Sequence, residues 1–464
     1  MINMQIVIMQ FGESCFHDAT GFQKIYDLLQ DYKENNLVLV VSALPAIKEL
    51  LQDCANKADT CSSYATEMNQ IKHQHLELIK DLFDNSQKEK VENFLTDKFT
   101  YLEEILDDIE EYGLSDNKLD IVLSFGEILS GYVLNEFLNS KNIDAEYLLG
   151  DKFLITDDKF SHALPIMNIT VRKIRSLLMP LLKLNHIPIV TGFIGRTKEG
   201  HLTTLGPGGA EYSAALIAYC LKDETYDTKV ILWTNTYGIY TVDPRIEPTA
   251  QIIKQLSYAE AKEIVAGTKV LHPKCIQPIQ DRGLSLEVRN FNDSSSSDYT
   301  IIQKTSDNHD KIIGITYEDE TAMVSVVSET TVEIPGILAK IFDSMGQNDI
   351  NISMLSQTSS EITTTFLVKV SDAEKAKQVL TESEFFKGWF EVRVDYVGMI
   401  SVIGPGISNP KNLERIFNVI QNNSSKIFAL SQASDGLNIT ILINQEDITK
   451  IIKALNKEFE LSNN

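Results

Sequence analysis

Residues 4–11 (MQIVIMQF) and 36–43 (NLVLVVSA) are short apolar runs that end in small or turn residues. This is the pattern of strands buried on both faces of a parallel sheet. Between them, GFQKIYDLLQDYKENN spaces its apolar positions as one face of a helix, completing a strand, helix, strand unit. From about residue 50 to 118 the chain turns helical and acidic, with no glycine until Gly113. That stretch predicts a helical insertion with its charged faces in solvent. Strand-like runs return at KLDIVLS, AEYLLG, IPIVTGF, KVILWTN and SLEVRN, each separated from the next by a helical stretch. The alternation predicts an α/β fold, a mostly parallel sheet with helices on both faces.

The polar run NFNDSSSSDYT at 290–300, followed by KTSDNHDK, marks a boundary. Beyond it the chain repeats itself. Ile341-Phe342 recurs as Ile416-Phe417 and Leu355-Ser356-Gln357 as Leu430-Ser431-Gln432, both at an offset of 75, while the leading strands MVSVV and MISVI are 76 apart. Each copy reads as strand, turn, helix, strand, strand, helix, with Ile334-Pro335-Gly336 and Gly404-Pro405-Gly406 at the turns. The organisation expected is a domain over 1–300 with its insertion at about 50–118, then a region over 311–464 made of two units, about 311–390 and 391–464. Such units expose sheet edges, and pairing them builds a ligand site at the joint.

Charge narrows the partners. Forty-two basic against 65 acidic residues give a formal charge of −23. That balance repels nucleic acid and anionic membrane surfaces, so neither is expected as a partner. A small anionic substrate stays open, because local donors can overcome a distant net charge. No run of about 18 apolar residues is evident and the start lacks a basic segment with a cleavage site, which points to a cytoplasmic protein. Five scattered cysteines without a CxxC pair fit reduced thiols, and no metal site is expected from them.

The polar residues that interrupt this pattern gather at strand ends, where α/β proteins bind ligands. Gln10-Phe11-Gly12-Glu13-Ser14 follows the first strand, a turn that either holds a phosphate or simply turns. Ser42 follows the second strand, as a ligand donor or a helix cap. Ser124-Phe125-Gly126-Glu127 is read as a third strand end, where Glu127 is either a solvated cap or the partner of a substrate ammonium. Thr191-Gly192-Phe193 ends a fourth. LTTLGPGGAEYSAALIAYCL then runs Gly206, Pro207, Gly208 and Gly209 straight into a helix, with Glu211 in place of the positive charge such a loop usually brings. KVILWTNTYGIYTVDPR carries Thr234, Asn235, Tyr240, Asp243 and Arg245; Lys269 precedes Val270-Leu271-His272-Pro273, in which His272 reads as a buried or capping residue.

In order, QFGES, VVSA, SFGE, TGF, TLGPGGAEY, WTNTYGIYTVDPR and KVLHP resemble the signposts of the aspartokinases in the amino acid kinase superfamily, over nearly the whole chain. The resemblance implies an amino acid kinase fold followed by two βαββαβ ACT domains. It also implies phosphoryl transfer from ATP, with Mg2+ held through the nucleotide phosphates, to the carboxylate of aspartate or a related amino acid. By position it assigns Gln10, Gly12 and Ser14 to the phosphate turn and Ser42, Glu127, Gly208, Gly209 and Glu211 to the substrate. Thr234, Asn235, Tyr240, Asp243, Arg245 and Lys269 fall to the nucleotide. An amino-acid effector would sit where first ACT units meet in a homodimer or higher oligomer, at Ile334 to Ala339, including Gly336 and Leu338, with Asn351, Ser359, Ser360 and Glu361. Leu355 stands where some lysine-inhibited members carry an aspartate, which argues against lysine.

The departures from the family pattern concentrate on charge. Gln10 replaces a phosphate-contacting lysine and Pro207 the arginine that grips a substrate carboxylate, while Glu13, Ala210, Glu211 and Asn235 differ too. Losing one preorganised donor in a dry site costs on the order of 3 to 4 kcal/mol of transition-state stabilisation. Lys48, where the family has a threonine, is the candidate replacement cation; the alternative is a solvated lysine. Two functions are therefore carried forward. One is an aspartokinase-like enzyme, the other a catalytically impaired pseudokinase that binds nucleotide or amino acid as a regulatory subunit.

Overall fold

The computed structural model describes residues 4–268, 270–328, 336–357 and 363–462. It divides into two units, one of residues 1–239, 254–258 and 269–305 and the other of 240–253, 259–268 and 306–464. The polar run at 290–300 falls inside the first unit, and two segments before it, 240–253 and 259–268, belong to the second.

In the first unit, β1 (Met4–Phe11) and β2 (Asn36–Val41) pair in parallel, as their apolar runs predict. Between them α1 (Ala19–Asp31) starts at Asp18, whose carboxylate accepts the N–H groups of Thr20 and Gly21. The insertion is α2 (Ile47–Asp59), α3 (Ala65–Leu82) and α4 (Asn85–Tyr112). Its apolar faces share one core with the sheet: Leu51, Ile71 and Leu95 pack in the same cluster as Val7, Met9 and Trp233.

The next element corrects the sequence reading. KLDIVLS is not a strand but the opening of α5 (Asp116–Ser140), 25 residues long and capped by Ser115, whose hydroxyl accepts the Lys118 N–H. Fourteen of its residues are buried on several faces, so the apolar positions show no helical period and a short window passes for a strand. By length and composition α5 is apolar enough to cross a membrane, yet that apolar surface packs into the core.

The chain continues through β3 (Ala145–Leu148), β4 (Ile155–Thr156), α6 (Met167–Lys183), β5 (Ile187–Thr191), β6 (Ile194–Thr197) and β7 (Leu202–Thr204). After these come α7 (Gly209–Leu221), β8 (Tyr226–Thr234), β9 (Gln255–Ser257), α8 (Tyr258–Ala266), α9 (Ile276–Arg282), β10 (Ser285–Asn290) and β11 (Thr300–Gln303). Eight strands form a sheet in the order β3-β5-β2-β1-β8-β10-β11-β9, antiparallel only between β10 and β11. A small sheet, β4-β6-β7, stands apart. The carboxyl ends of β1, β2, β5 and β8 therefore lie side by side.

The second unit holds β12 (Gly314–Ser328), α10 (Ile337–Gly346), β13 (Met354–Gln357), β14 (Thr363–Lys369), α11 (Val370–Glu382) and β15 (Phe390–Ile403). It closes with α12 (Pro410–Asn422), β16 (Ala429–Gln432), β17 (Asn438–Asn444) and α13 (Ile448–Glu458). One antiparallel sheet runs β13-β14-β12-β15-β17-β16. The repeated Leu-Ser-Gln segments are its two edge strands, and the repeated Ile341 and Ile416 are buried on α10 and α12. The two halves interleave. β12 and β15 run the length of both, with a register shift between Glu318 and Thr321, and Ile312 and Ile315 join the core of the later half while Val392 and Val394 pack on the earlier one. The repeat was legible in the chain; the two long strands shared by its copies were not.

His75, fully buried on α3, gives the first unit an acid sensitivity. Its Nδ1 lies 2.8 Å from the Ile71 carbonyl, which fixes Nδ1 as the donor, and Nε2 has no hydrogen-bond partner among the described residues. Burial lowers its pKa from 6.5 to about 4, with the Ile71 carbonyl opposing in part. The unfolded chain thus takes up the proton first, so this contribution is intact above pH 6.5 and is lost as the pH falls toward 4. Between pH 6.5 and 5 the loss is about 2 kcal/mol. Urea unfolding at the two pH values should show the wild type losing about that much more than His75→Leu. Equal losses would remove His75 as the cause.

Candidate active site

Gln10, the penultimate residue of β1, is 2% exposed and donates from Nε2 to Ser42 Oγ across 3.2 Å. The Ser42 N–H donates to the Phe11 carbonyl at 3.2 Å, and Ser130 Oγ donates to the Ser42 carbonyl at 2.7 Å. Ser42 is thus held by β1 and α5 and caps no helix, since α2 begins five residues later behind Ala46 in a left-handed conformation. Gly12 donates its N–H to the Trp233 carbonyl at 3.1 Å, and a Cβ there would stand 3.3 Å from that oxygen. Ser14 is exposed.

The expected third strand end, Ser124-Phe125-Gly126-Glu127, lies inside α5, and the helix delivers its acid from the side. Gly126 makes this approach feasible: a Cβ on it would meet Ala43 Cβ at 2.7 Å and Lys48 Cγ at 3.8 Å. Glu127 is 0% exposed, and Lys48, from the first turn of α2, brings Nζ to 2.7 Å from Oε1. The Lys48 side chain is 26% exposed, and its ammonium stands 4.4 Å from the centre of the Phe193 ring. Oε2 of Glu127 accepts no hydrogen bond among the described residues.

Three carboxylates act on this one lysine. Burial pulls the Lys48 pKa down, but Glu127, Glu13 and Glu211 together hold it above its ordinary value, so the ammonium stays charged at neutral pH. Burial pushes Glu127 up and the lysine pulls it back. Glu13 is likewise raised by burial, lowered by Lys48, and raised again by Glu49 and Glu211. The solvated-lysine reading of Lys48 is therefore replaced by a part-buried ion pair in the site.

Phe193 has φ +69°, a strained conformation for an aromatic residue. It is held there by its N–H, which reaches Ser213 Oγ at 3.0 Å, and by its carbonyl, which accepts from Leu205 N at 2.9 Å. A Cβ on Gly209 would collide with the Phe193 ring at 2.6 Å, and one on Gly208, with φ +69°, would collide with His272 at 2.1 Å. The glycine pair thus makes room for two rings while starting α7, whose first turn carries no side-chain cap and includes Glu211. His272 accepts the Lys274 N–H at 3.2 Å, as a capping residue, and Lys274 Nζ donates to the Leu205 carbonyl at 3.2 Å.

Sequence reasoning missed the anchor of this loop. Asp120 is fully buried on α5 and accepts from the N–H and hydroxyl of both Ser161 and Thr204, at 2.7 to 3.2 Å. It lies seven residues before Glu127, on the same helix face. The signal available was an acid inside the apolar run KLDIVL.

Thr234 ends β8, where its carbonyl accepts the Phe291 N–H at 2.7 Å and Asn290 reaches the Asn235 carbonyl at 3.4 Å. Tyr240, Asp243 and Arg245 belong to the second unit. There Asp243 binds Arg245 through Nη2 at 2.6 Å and Nε at 3.0 Å and accepts the Tyr317 hydroxyl at 3.3 Å. The Arg245 guanidinium holds the Asp243 carboxyl below the usual range. Lys269, Ile334, Pro335, Ser359, Ser360 and Glu361 lie outside the described residues. Gly336 caps α10 with φ +87°, Leu338 is on that helix, and Asn351 precedes β13.

A parallel sheet with its polar strand ends gathered around a buried ion pair, followed by an interleaved pair of α/β repeats, defines a class. The chain belongs to the amino acid kinase family, whose model matches residues 5–290, and the ACT domain model matches twice, at 324–383 and 400–459. Within that family it is similar to aspartokinases. It is 29% identical to "Aspartokinase" of Bacillus sp. (strain MGA3) over 74% of this chain and 82% of that protein. It is 26% identical to "Bifunctional aspartokinase/homoserine dehydrogenase" of Buchnera aphidicola over 96% of this chain and 55% of that protein. The chain spans about half the length of the first curated relatives it matches, 51 to 56%. Its fold matches the E. coli aspartokinase III structure in complex with aspartate and ADP (R-state) at a TM-score of 0.83 and 21% identity, covering 98% of this chain and all of the other.

Proposed function

We propose that the protein transfers the γ-phosphoryl group of ATP to the carboxylate of aspartate or a related amino acid. One observation carries this reading: Lys48 places a charged ammonium 2.7 Å from a fully buried Glu127 whose second oxygen has no donor among the described residues. That arrangement suits an amino acid, with its ammonium on Glu127 Oε2 and its reacting carboxylate on Lys48. An acceptor oxygen bonds to the γ-phosphorus, the bond from phosphorus to the ADP oxygen breaks, and the products are an acyl phosphate and ADP. Lys48 orients the acceptor carboxylate and offsets charge during transfer, in place of the cations absent at Gln10 and Pro207. The Gln10–Ser42 hydrogen bond holds the ends of β1 and β2 in place, and Thr234 and Asn235 at the end of β8 face the nucleotide. Mg2+, carried on the nucleotide phosphates, supplies further charge neutralisation.

The ACT repeats take an amino-acid effector in a homodimer or higher oligomer, with Gly336, Leu338 and Asn351 near it. Five free cysteines, four of them buried, favour a reducing compartment such as the cytoplasm. The test is to incubate the protein with MgATP, hydroxylamine and a panel of amino acids that includes aspartate. Hydroxamate and ADP should form in equal amounts with at least one acceptor. No ADP above background with any of them, while ATP still raises the melting temperature, would leave a binding protein without turnover.

A further inference from the structure

A cavity of about 370 Å³ opens beside the small β4-β6-β7 sheet, lined by Asp151, Lys152, Lys173, Arg196, Thr197 and Lys198 among others. Four cations face one carboxylate there, on a chain whose formal charge is −23. Arg196 is paired with Asp151 through Nη2, and its buried Nε has no hydrogen-bond partner among the described residues. The three lysines are the notable part. Among the described residues none of them has an acidic oxygen within 4 Å, and Lys173 Nζ makes only a long contact, to the Lys152 carbonyl at 3.5 Å. In a chain with 65 acids for 42 bases, three neighbouring lysines without an acid partner leave a local excess of positive charge. Their mutual repulsion eases when a multivalent anion enters.

We propose that this cavity binds a multivalent oxyanion of the phosphate class, with Lys152, Lys173 and Lys198 as donors. Charge-assisted contacts from several directions suit a tetrahedral oxyanion better than a planar carboxylate held by one arginine. The ligand is a free inorganic oxyanion such as phosphate or pyrophosphate, and not the phosphate end of a nucleotide. The inference does not depend on the phosphotransfer reading, because none of these residues belongs to that site.

Calorimetric titration of the chain with pyrophosphate tests it, at constant ionic strength and with ADP saturating any nucleotide site; a parallel AMP titration, expected to show no saturable binding, checks that a nucleotide phosphate is not the ligand. A saturable one-to-one isotherm is expected. In Lys173→Glu/Lys198→Glu the Kd should rise about a hundredfold, roughly tenfold for each cation removed, while the ADP-induced rise in melting temperature is unchanged. Should the charge reversal lower the melting temperature of the free protein, Lys173→Gln/Lys198→Gln replaces it. Pyrophosphate binding that vanishes when ADP is present, that is matched by chloride at equal ionic strength, or that survives the substitutions overturns the proposal.

Discussion

Lys48→Met should lower kcat by roughly 100- to 1,000-fold with an acceptor that the wild type turns over, the range seen when one preorganised electrostatic donor is removed. Folding suffers as well, because Glu127 is left as a fully buried carboxylate with no cation. Breaking a fully buried pair costs about 3 to 5 kcal/mol; with a quarter of the Lys48 side chain in solvent the expectation is nearer ~2 kcal/mol. The two effects separate in the double variant Lys48→Met/Glu127→Gln. Removing the orphaned charge should restore most of the urea midpoint, while turnover stays low because the cation is still absent and the Glu127 charge proposed to hold the substrate ammonium is gone as well. A double variant that regains turnover along with stability would mean that neither side chain does more than keep α2 against α5.

Asp120→Ala is the second large effect, and it acts on the loop. The substitution leaves the Thr204 N–H and hydroxyl buried without an acceptor and deprives the Ser161 N–H of its partner. At about 1 to 3 kcal/mol for each buried donor left unsatisfied, and with partial relaxation, the variant should unfold about 4 kcal/mol more easily. Thr204 leads directly into Leu205-Gly206-Pro207-Gly208-Gly209, so kcat/KM for the acceptor should fall by roughly 10- to 100-fold in the fraction that stays folded. Asp120→Asn, which keeps one acceptor oxygen in place, should fall between the two. A urea midpoint for Asp120→Ala within error of the wild type would show that the loop is held by something else.

How far the sequence reaches is set by the kind of burial each element has. β1, β2 and the later half of β8 are covered on both faces, so they contain unbroken apolar runs (IVIM, LVLVV and VILW), and the glycines and hydroxyls after them mark their carboxyl ends. α5 is covered on several sides too, which erases the helical period that would have distinguished KLDIVLS from a strand. Its true signals are local and easily passed over, a serine cap and an unbroken run of 25 residues without proline. The site follows the same rule. Gln10, Ser42 and the glycine loop sit where strand ends put them and were visible in order along the chain. The pairing of Lys48 with Glu127 depends on how closely α2 and α5 approach at Gly126, a tertiary fact with no sequence period behind it. Asp120 was hidden by the same misreading that turned α5 into a strand. In the second unit the offset of 75 exposed the repeat, whereas the length of β12 and β15 depends on a strand passing from one copy into the other.

The central claim is that a carboxylate oxygen attacks phosphorus, and isotope transfer tests it most directly. The acceptor amino acid is labelled with oxygen-18 in its carboxyl groups, incubated with MgATP and the protein, and the acyl phosphate is trapped with hydroxylamine, which attacks the carbonyl carbon and releases phosphate. The account predicts one labelled oxygen in each phosphate released beside the hydroxamate. Phosphate that carries no label, formed at the same rate with or without the amino acid, would contradict it.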